Sequence, residues 1–190
     1  MSDQKLSQLT AITPPLNTTD LVYVANPLSK KATVQDFLNL FTFQLIAESL
    51  SIGTVAEVAF LNLSIYSEIM IICRNITTAA AQLRLLEVSI NNGSSYLTAS
   101  GDYINIVAGG TESNSTAAAV CEDVTTAARS GVLLIQQFNS TRPKWVQSMN
   151  RNISNGACTL IPTTSALNAL RIRAASGNIT GGNIYLFGRR

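Results

Sequence analysis

Two patterns of apolar residues divide the chain: Thr33 to Leu50 carries them at helical spacing, and from Thr54 onward they come in short bursts separated by Gly, Asn and Ser. The first pattern predicts a helix, opened by Thr33 with Asp36 three residues on, as in a capping box, and closed near Gly53. At about 100° per residue, Val34, Phe37, Leu38, Phe41 and Leu45 share one face, and Leu40, Phe43, Ile46 and Leu50 gather on the other. Two apolar faces require two partners, so the pattern predicts an oligomer, with a homotrimer as the first expectation. The candidate oligomer and docking interface is Phe37, Leu40, Phe41, Phe43, Leu45 and Ile46, joined by Val22 and Val24 from a short upstream strand.

The second pattern predicts eight strands, over 55–63, 68–74, 83–90, 103–107, 131–138, 144–149, 167–174 and 183–188. Turn signals stand at Asn91-Asn92-Gly93, Ser100-Gly101-Asp102 and Gly181-Gly182-Asn183. Ala117 to Arg129 mixes Ala with β-branched Thr125 and Thr126 and reads as a long irregular connection. Upstream, Pro14, Pro15 and Pro27 flank the strand-like run Asp20 to Ala25, which suits an extended arm. The fold expected is therefore mainly β: an arm and helix over residues 1–53, then an antiparallel, jelly-roll-like β-sandwich over 54–190.

Composition narrows the function. Charged residues are only 13% of the chain and the net charge is +2, with no clustered basic stripe, which argues against nucleic acid as a partner. No apolar run is long enough for a membrane span, and the polar start, Met1 to Lys5, predicts no secretory signal. Cys73, Cys121 and Cys158 are odd in number and far apart, which predicts core thiols rather than a disulfide framework or a zinc site.

Histidine is absent, so the common imidazole base and the usual transition-metal ligand are missing. Asp102, Glu112, Glu122 and Asp123 are the acids a glycosidase pair could draw on, but adjacent Glu122 and Asp123 would point to opposite sides of a strand. Gly109-Gly110 is not followed by the Gly-Lys-Ser/Thr of a phosphate-binding loop, and no loop concentrates enough oxygen ligands for calcium. These observations predict no enzyme, no cofactor and no metal. Trp145, Tyr96 and Tyr103 are the residues that could stack on a glycan, although an aromatic in a strand more often belongs to a core.

The progression Leu6 to Thr13, Asp20-Leu21-Val22-Tyr23-Val24 and Lys30 to Leu38 resembles the opening of tailed-bacteriophage fibre and appendage proteins. The closing segments, Leu170 to Arg173 and Gly181 to Arg189, together with Tyr66 to Ile72, look like strands of small phage structural β-domains. The resemblance implies a virion protein, made in the host cytoplasm, whose N-terminus docks on capsid, collar or tail while a β-domain projects outward, commonly as a trimer. It brings no catalytic residues. A capsid decoration protein that clamps capsomers, and a carbohydrate-binding host-adhesion module, are the competing expectations.

Overall fold

A computed structural model of the chain describes residues 21–23, 31–33, 42–106, 112–149 and 157–190. The chain divides into two units, residues 1–42 and 43–190. In the first, β1 (Leu21–Tyr23) pairs antiparallel with β2 (Lys31–Thr33), placing Leu21 opposite Thr33. Val22 lies in β1, and Thr33, expected to cap a helix, lies in β2.

The second unit holds β3 (Gln44–Ser49), β4 (Glu57–Phe60), β5 (Glu68–Thr78), β6 (Gln82–Ser89), β7 (Tyr103–Ile106) and β8 (Glu112–Ser115). It continues with β9 (Ala118–Thr125), β10 (Arg129–Gln136), β11 (Lys144–Met149), β12 (Ala157–Ile161), β13 (Ala169–Ala174) and β14 (Ile179–Arg189). An eight-stranded antiparallel sheet has the order β3-β14-β5-β10-β11-β12-β7-β8, and a four-stranded one the order β4-β13-β6-β9. One core joins them. Ile69 and Ile71 of β5, Leu133 and Ile135 of β10 and Leu186 of β14 pack with Leu86 and Val88 of β6 and Leu170 and Ile172 of β13. All eight strands expected in this region are present, in a sandwich-like arrangement of two sheets.

Among the described residues there is no helix. The helix expected over Thr33 to Leu50 is corrected over residues 44–49, which are β3, while residues 34–41 lie outside the described residues. The reason is long-range pairing: β3 runs beside β14, with Leu45 opposite Phe187 and Ala47 opposite Leu186. That step leaves Ile46 as an extra residue in the ladder, a bulge that lets Ile46 and Ala47 both pack on the core. Adjacent inward-facing apolar residues break a period of two and imitate a helical one. Residues 43–53, expected with the arm, belong to the second unit, where the Ile52 N–H donates to the Gly182 carbonyl at 2.9 Å.

Beyond β2 and β3, three further strands arise where none was expected: β8, β9 and β12. The Ala-rich stretch read as an irregular connection is β9, whose register with β6 shifts twice and whose Ala118 and Val120 are buried. The expected turn at Gly181-Gly182-Asn183 lies inside β14 as a break in register with β5. Gly182 has φ 112°, and a Cβ there would stand 2.8 Å from the Arg74 and Asn75 carbonyl oxygens. Only glycine fits this crossing of backbones.

Candidate functional site

Side chains alternate across a strand, so each sheet has an outward face set by the residues between its core positions. In the four-stranded sheet that face carries charge. Arg171 of β13 stands directly opposite Glu87 of β6, while Arg173 and Glu57 lie one step along the ladder. The Glu87 carboxylate accepts from Arg171 Nε at 2.7 Å and from Arg173 Nε at 2.8 Å, and each arginine adds a second contact through Nη2. Arg171 Nη1 also reaches Glu57 at 2.7 Å.

The connection from β6 to β7 covers this cluster. Tyr96 lies 4.0 Å from the Arg171 guanidinium, face on, and the Glu87 side chain is fully buried although it points away from the core. Burial alone lowers the Arg171 guanidinium, but hydrogen bonding and charge from Glu87, then Glu57, outweigh it and push its pKa up. Burial, with the charge of Glu57, raises the Tyr96 phenol above its usual range against the opposing pull of Arg171. The cluster sums to zero charge and is saturated by its own members, which makes it a clamp.

Beside it an amide network joins three connections. Asn62 and Asn92 pair reciprocally: Asn62 N–H donates to Asn92 Oδ1 at 2.7 Å, and Asn92 Nδ2 donates to Asn62 Oδ1 at 2.9 Å. Asn92 N–H donates to Asn168 Oδ1 at 2.7 Å, and Asn168 Nδ2 donates to the Ile90 carbonyl at 2.9 Å. Exposed Leu61, Ile65 and Ile90 lie on the same connections. The turn expected at Asn91-Asn92-Gly93 is here, with Asn92 at φ 57° and Gly93 at φ 84°.

The outward face of the eight-stranded sheet is of the opposite kind. One row across it reads Tyr185, Ile72 and Val132, and the next reads Leu45, Phe187, Met70, Leu134, Gln147 and then Cys158. A third places Trp145, Leu160 and Ile104 side by side. Most are half-buried, and Leu45 and Trp145 are exposed at 51% and 37%. Among the described residues, charge on this face lies at the margins, at Glu48, Arg74, Glu112 and the Arg189–Glu68 ion pair. An antiparallel sheet with one face on a core ordinarily presents polar residues on the other. This one is apolar on both.

The expected interface residues fall partly here. Leu45 points outward, Phe43 lies under Arg189 at 5.7 Å, and Ile46 turns to the core instead. Val24, Phe37, Leu40 and Phe41 lie outside the described residues, and for Val22 only the backbone of β1 is described.

The three candidate glycan-stacking aromatics do not form one platform. Trp145 is on the outward face of the eight-stranded sheet, and Tyr96 covers that of the four-stranded sheet. Tyr103 is fully buried, and its hydroxyl accepts from the Val88 N–H at 2.8 Å, so it presents nothing to solvent. Trp145 reverses the core expectation: its neighbour Lys144 is the buried residue, donating to the Thr163 and Ser165 carbonyls at 3.0 and 2.6 Å. Burial lowers the Lys144 ammonium.

Of the acids, Asp102 is used locally, its Oδ2 accepting from the Ala99 N–H at 2.7 Å. Glu112 is exposed on β8, and Glu122 and Asp123 are described only as backbone of β9. Among the described residues no group of three His, Cys, Asp or Glu side chains could hold a metal ion, and no helix is long and apolar enough to cross a membrane. Cys73 is a buried thiol, and Cys158 is half-buried on the outward face. Sequence reasoning missed the Arg171–Glu87–Arg173 clamp, for which the signal was the alternation of Arg with Leu and Ile in 170–173. No protein-family model and no curated protein matches the chain.

Proposed function

We propose that this chain is a non-catalytic structural subunit of a tailed-bacteriophage particle, of the fibre or collar/tail appendage type, docked through its N-terminal arm and assembled from like chains. The observation that carries the reading is the doubly apolar eight-stranded sheet, because a face of Ile, Met, Val, Leu and aromatic residues suits a surface that works inside an assembly. The arm's likeness to appendage openings supports the virion location, and the alternation of β4, β5, β6 and β7 between the two sheets supports a jelly-roll-like connectivity. The resemblance also implies threefold symmetry.

Immunogold labelling of purified particles tests it: the expected label sits at collar or tail. Label spread over the capsid shell transfers the reading to a decoration protein, and label absent from particles removes it. One observation favours a second reading, a glycan-binding adhesion surface: exposed Trp145 lies directly opposite Gln136, with exposed Gln147 two residues along the same strand. Glycan-array binding lost in Trp145→Ala, with circular dichroism unchanged, would establish that reading.

A further inference from the structure

The geometry points to a specific partner for the outward face of the eight-stranded sheet: a second copy of this chain, seated face to face about a two-fold axis near Gln147. This deepens the assembly from like chains in the proposed function and rests on the same apolar face, but it does not depend on a virion location, because it concerns what covers the face wherever the protein works. Eight strands about 4.8 Å apart span about 34 Å, and the outward positions, fewer on the short β7 and β8 than on the long β5 and β14, cover roughly 17 Å along the strands on average, so the flat area is about 600 Å². Two such faces together remove about 1,200 Å² from water, above the ~1,000 Å² that a specific interface needs.

The chemistry of the face selects its own copy. Its centre holds no charge, so it offers no field to choose a partner of opposite sign. A membrane surface fits poorly, since adsorption to anionic lipid calls for a basic rim and this margin is mixed, with Glu48 and Glu112 on the lateral strands set against Arg74 and the neutral Arg189–Glu68 pair. Gln147 is the polar residue in the middle row, fifth of the eight strands and exposed. A carboxamide both donates and accepts, so a glutamine on a two-fold axis can satisfy its own counterpart, which a charged residue could not. The pairing so formed is isologous, in contrast to the threefold arrangement implied by the resemblance.

The face contains two reporters: Trp145, the only tryptophan in the chain, and the half-buried Cys158 thiol. Full-length protein is followed from about 1 to 100 µM by light scattering, tryptophan emission and labelling with a thiol reagent, with Cys158→Ser identifying the Cys158 signal. The expected result is a shift from one to two chains across that range, a blue shift of Trp145 emission and at least a tenfold slowing of Cys158 labelling. Leu134→Lys keeps the protein monomeric with red-shifted emission and fast labelling. Leu134→Thr, which retains strand propensity, weakens pairing at least tenfold if the lysine variant does not fold.

A monomer at 100 µM with Cys158 freely labelled overturns the inference, because the face is then open. A monomer with Cys158 protected overturns it as well, because the chain's own residues then cover the face. Three chains, or two chains indifferent to Leu134→Thr, place the contact elsewhere and also overturn it. None of these outcomes alters where immunogold finds the protein on a particle, so the two readings fail separately.

Discussion

The two sheets share a core, yet their outward faces are finished in different ways. On the four-stranded sheet, Arg171, Glu87 and Arg173 form ion pairs beneath a connection of the same chain, and Tyr96 lies over Arg171. On the eight-stranded sheet, Met70, Leu134 and Leu160 face outward, and among the described residues the charges of that face stay at its margins. Charges withdrawn from water must find partners at once, so the first face is completed within one chain. An apolar face can wait for another molecule, since its gain is realised wherever its area leaves water. The polar cluster is thus completed within the fold, whereas the apolar face is the surface on which the proposed pairing rests.

The contrast breaks most visibly at Glu87. Replacing Glu87→Ala leaves two partly buried arginines without their shared carboxylate and is expected to cost about 3 kcal/mol, read as a lower urea midpoint. The loss is the same at 1 and 100 µM if the clamp belongs to the single chain.

Next in size is the amide pair that ties down the neighbouring connections. Asn92→Gly keeps the φ 57° backbone accessible but removes the acceptor for the Asn62 N–H. A loss of about 1–2 kcal/mol follows from the unsatisfied donor, and hydrogen exchange at the Asn62 amide reads it directly.

A smaller effect concerns the seam between the sheets. Pairing of β9 with β6 ends at Ala118 opposite Leu86, so the next backbone groups of β6, at Val88, are met by the Tyr103 hydroxyl and the Leu97 N–H. Burial raises the Tyr103 phenol well above its ordinary value of 10.0, even though the Val88 N–H contact acts the other way. The folded protein then holds a proton that the unfolded chain releases, so Tyr103 contributes stability below pH 10 that is lost as pH rises beyond it. Tyr103→Phe is expected to cost about 1 kcal/mol at pH 7 and to flatten the alkaline fall, as followed by thermal melts between pH 8 and about 11.

The smallest change falls on the apolar face. Val132→Thr, half-buried and outward, should alter the stability of dilute protein by no more than about 0.5 kcal/mol. If dilute protein loses several times that, the face packs within the chain and the comparison fails.

Strands with regular alternation were legible without any structure. Glu68 to Arg74, Gly131 to Phe138 and Lys144 to Met149 each carry enough β-branched or aromatic residues to be recognised alone, and each is found. β3 was not, because its bulge at Ile46 displaces the period. β9 is obscured by its alanines, which suit a helix as well as a strand, and it is fixed as a strand by pairing with β6 and by lying near β10 and β11 of the other sheet. The apolar residues that predict a helix over 33–50 lie, where described, in or beside β3, and a separate outward apolar surface is spread across β5, β7, β10, β11, β12 and β14.

Local chemistry along the chain determined that this protein would be built of strands, that its turns would fall at sites such as Asn91-Asn92-Gly93, and that it would lack imidazole chemistry, since these depend on residue type and near neighbours. Which strands became neighbours, and hence that Arg171 would meet Glu87 across 84 residues while Trp145 faced outward, was settled only when distant segments paired. Alternation tells a strand that it has two faces, and only its partners in the sheet decide which of them meets the core.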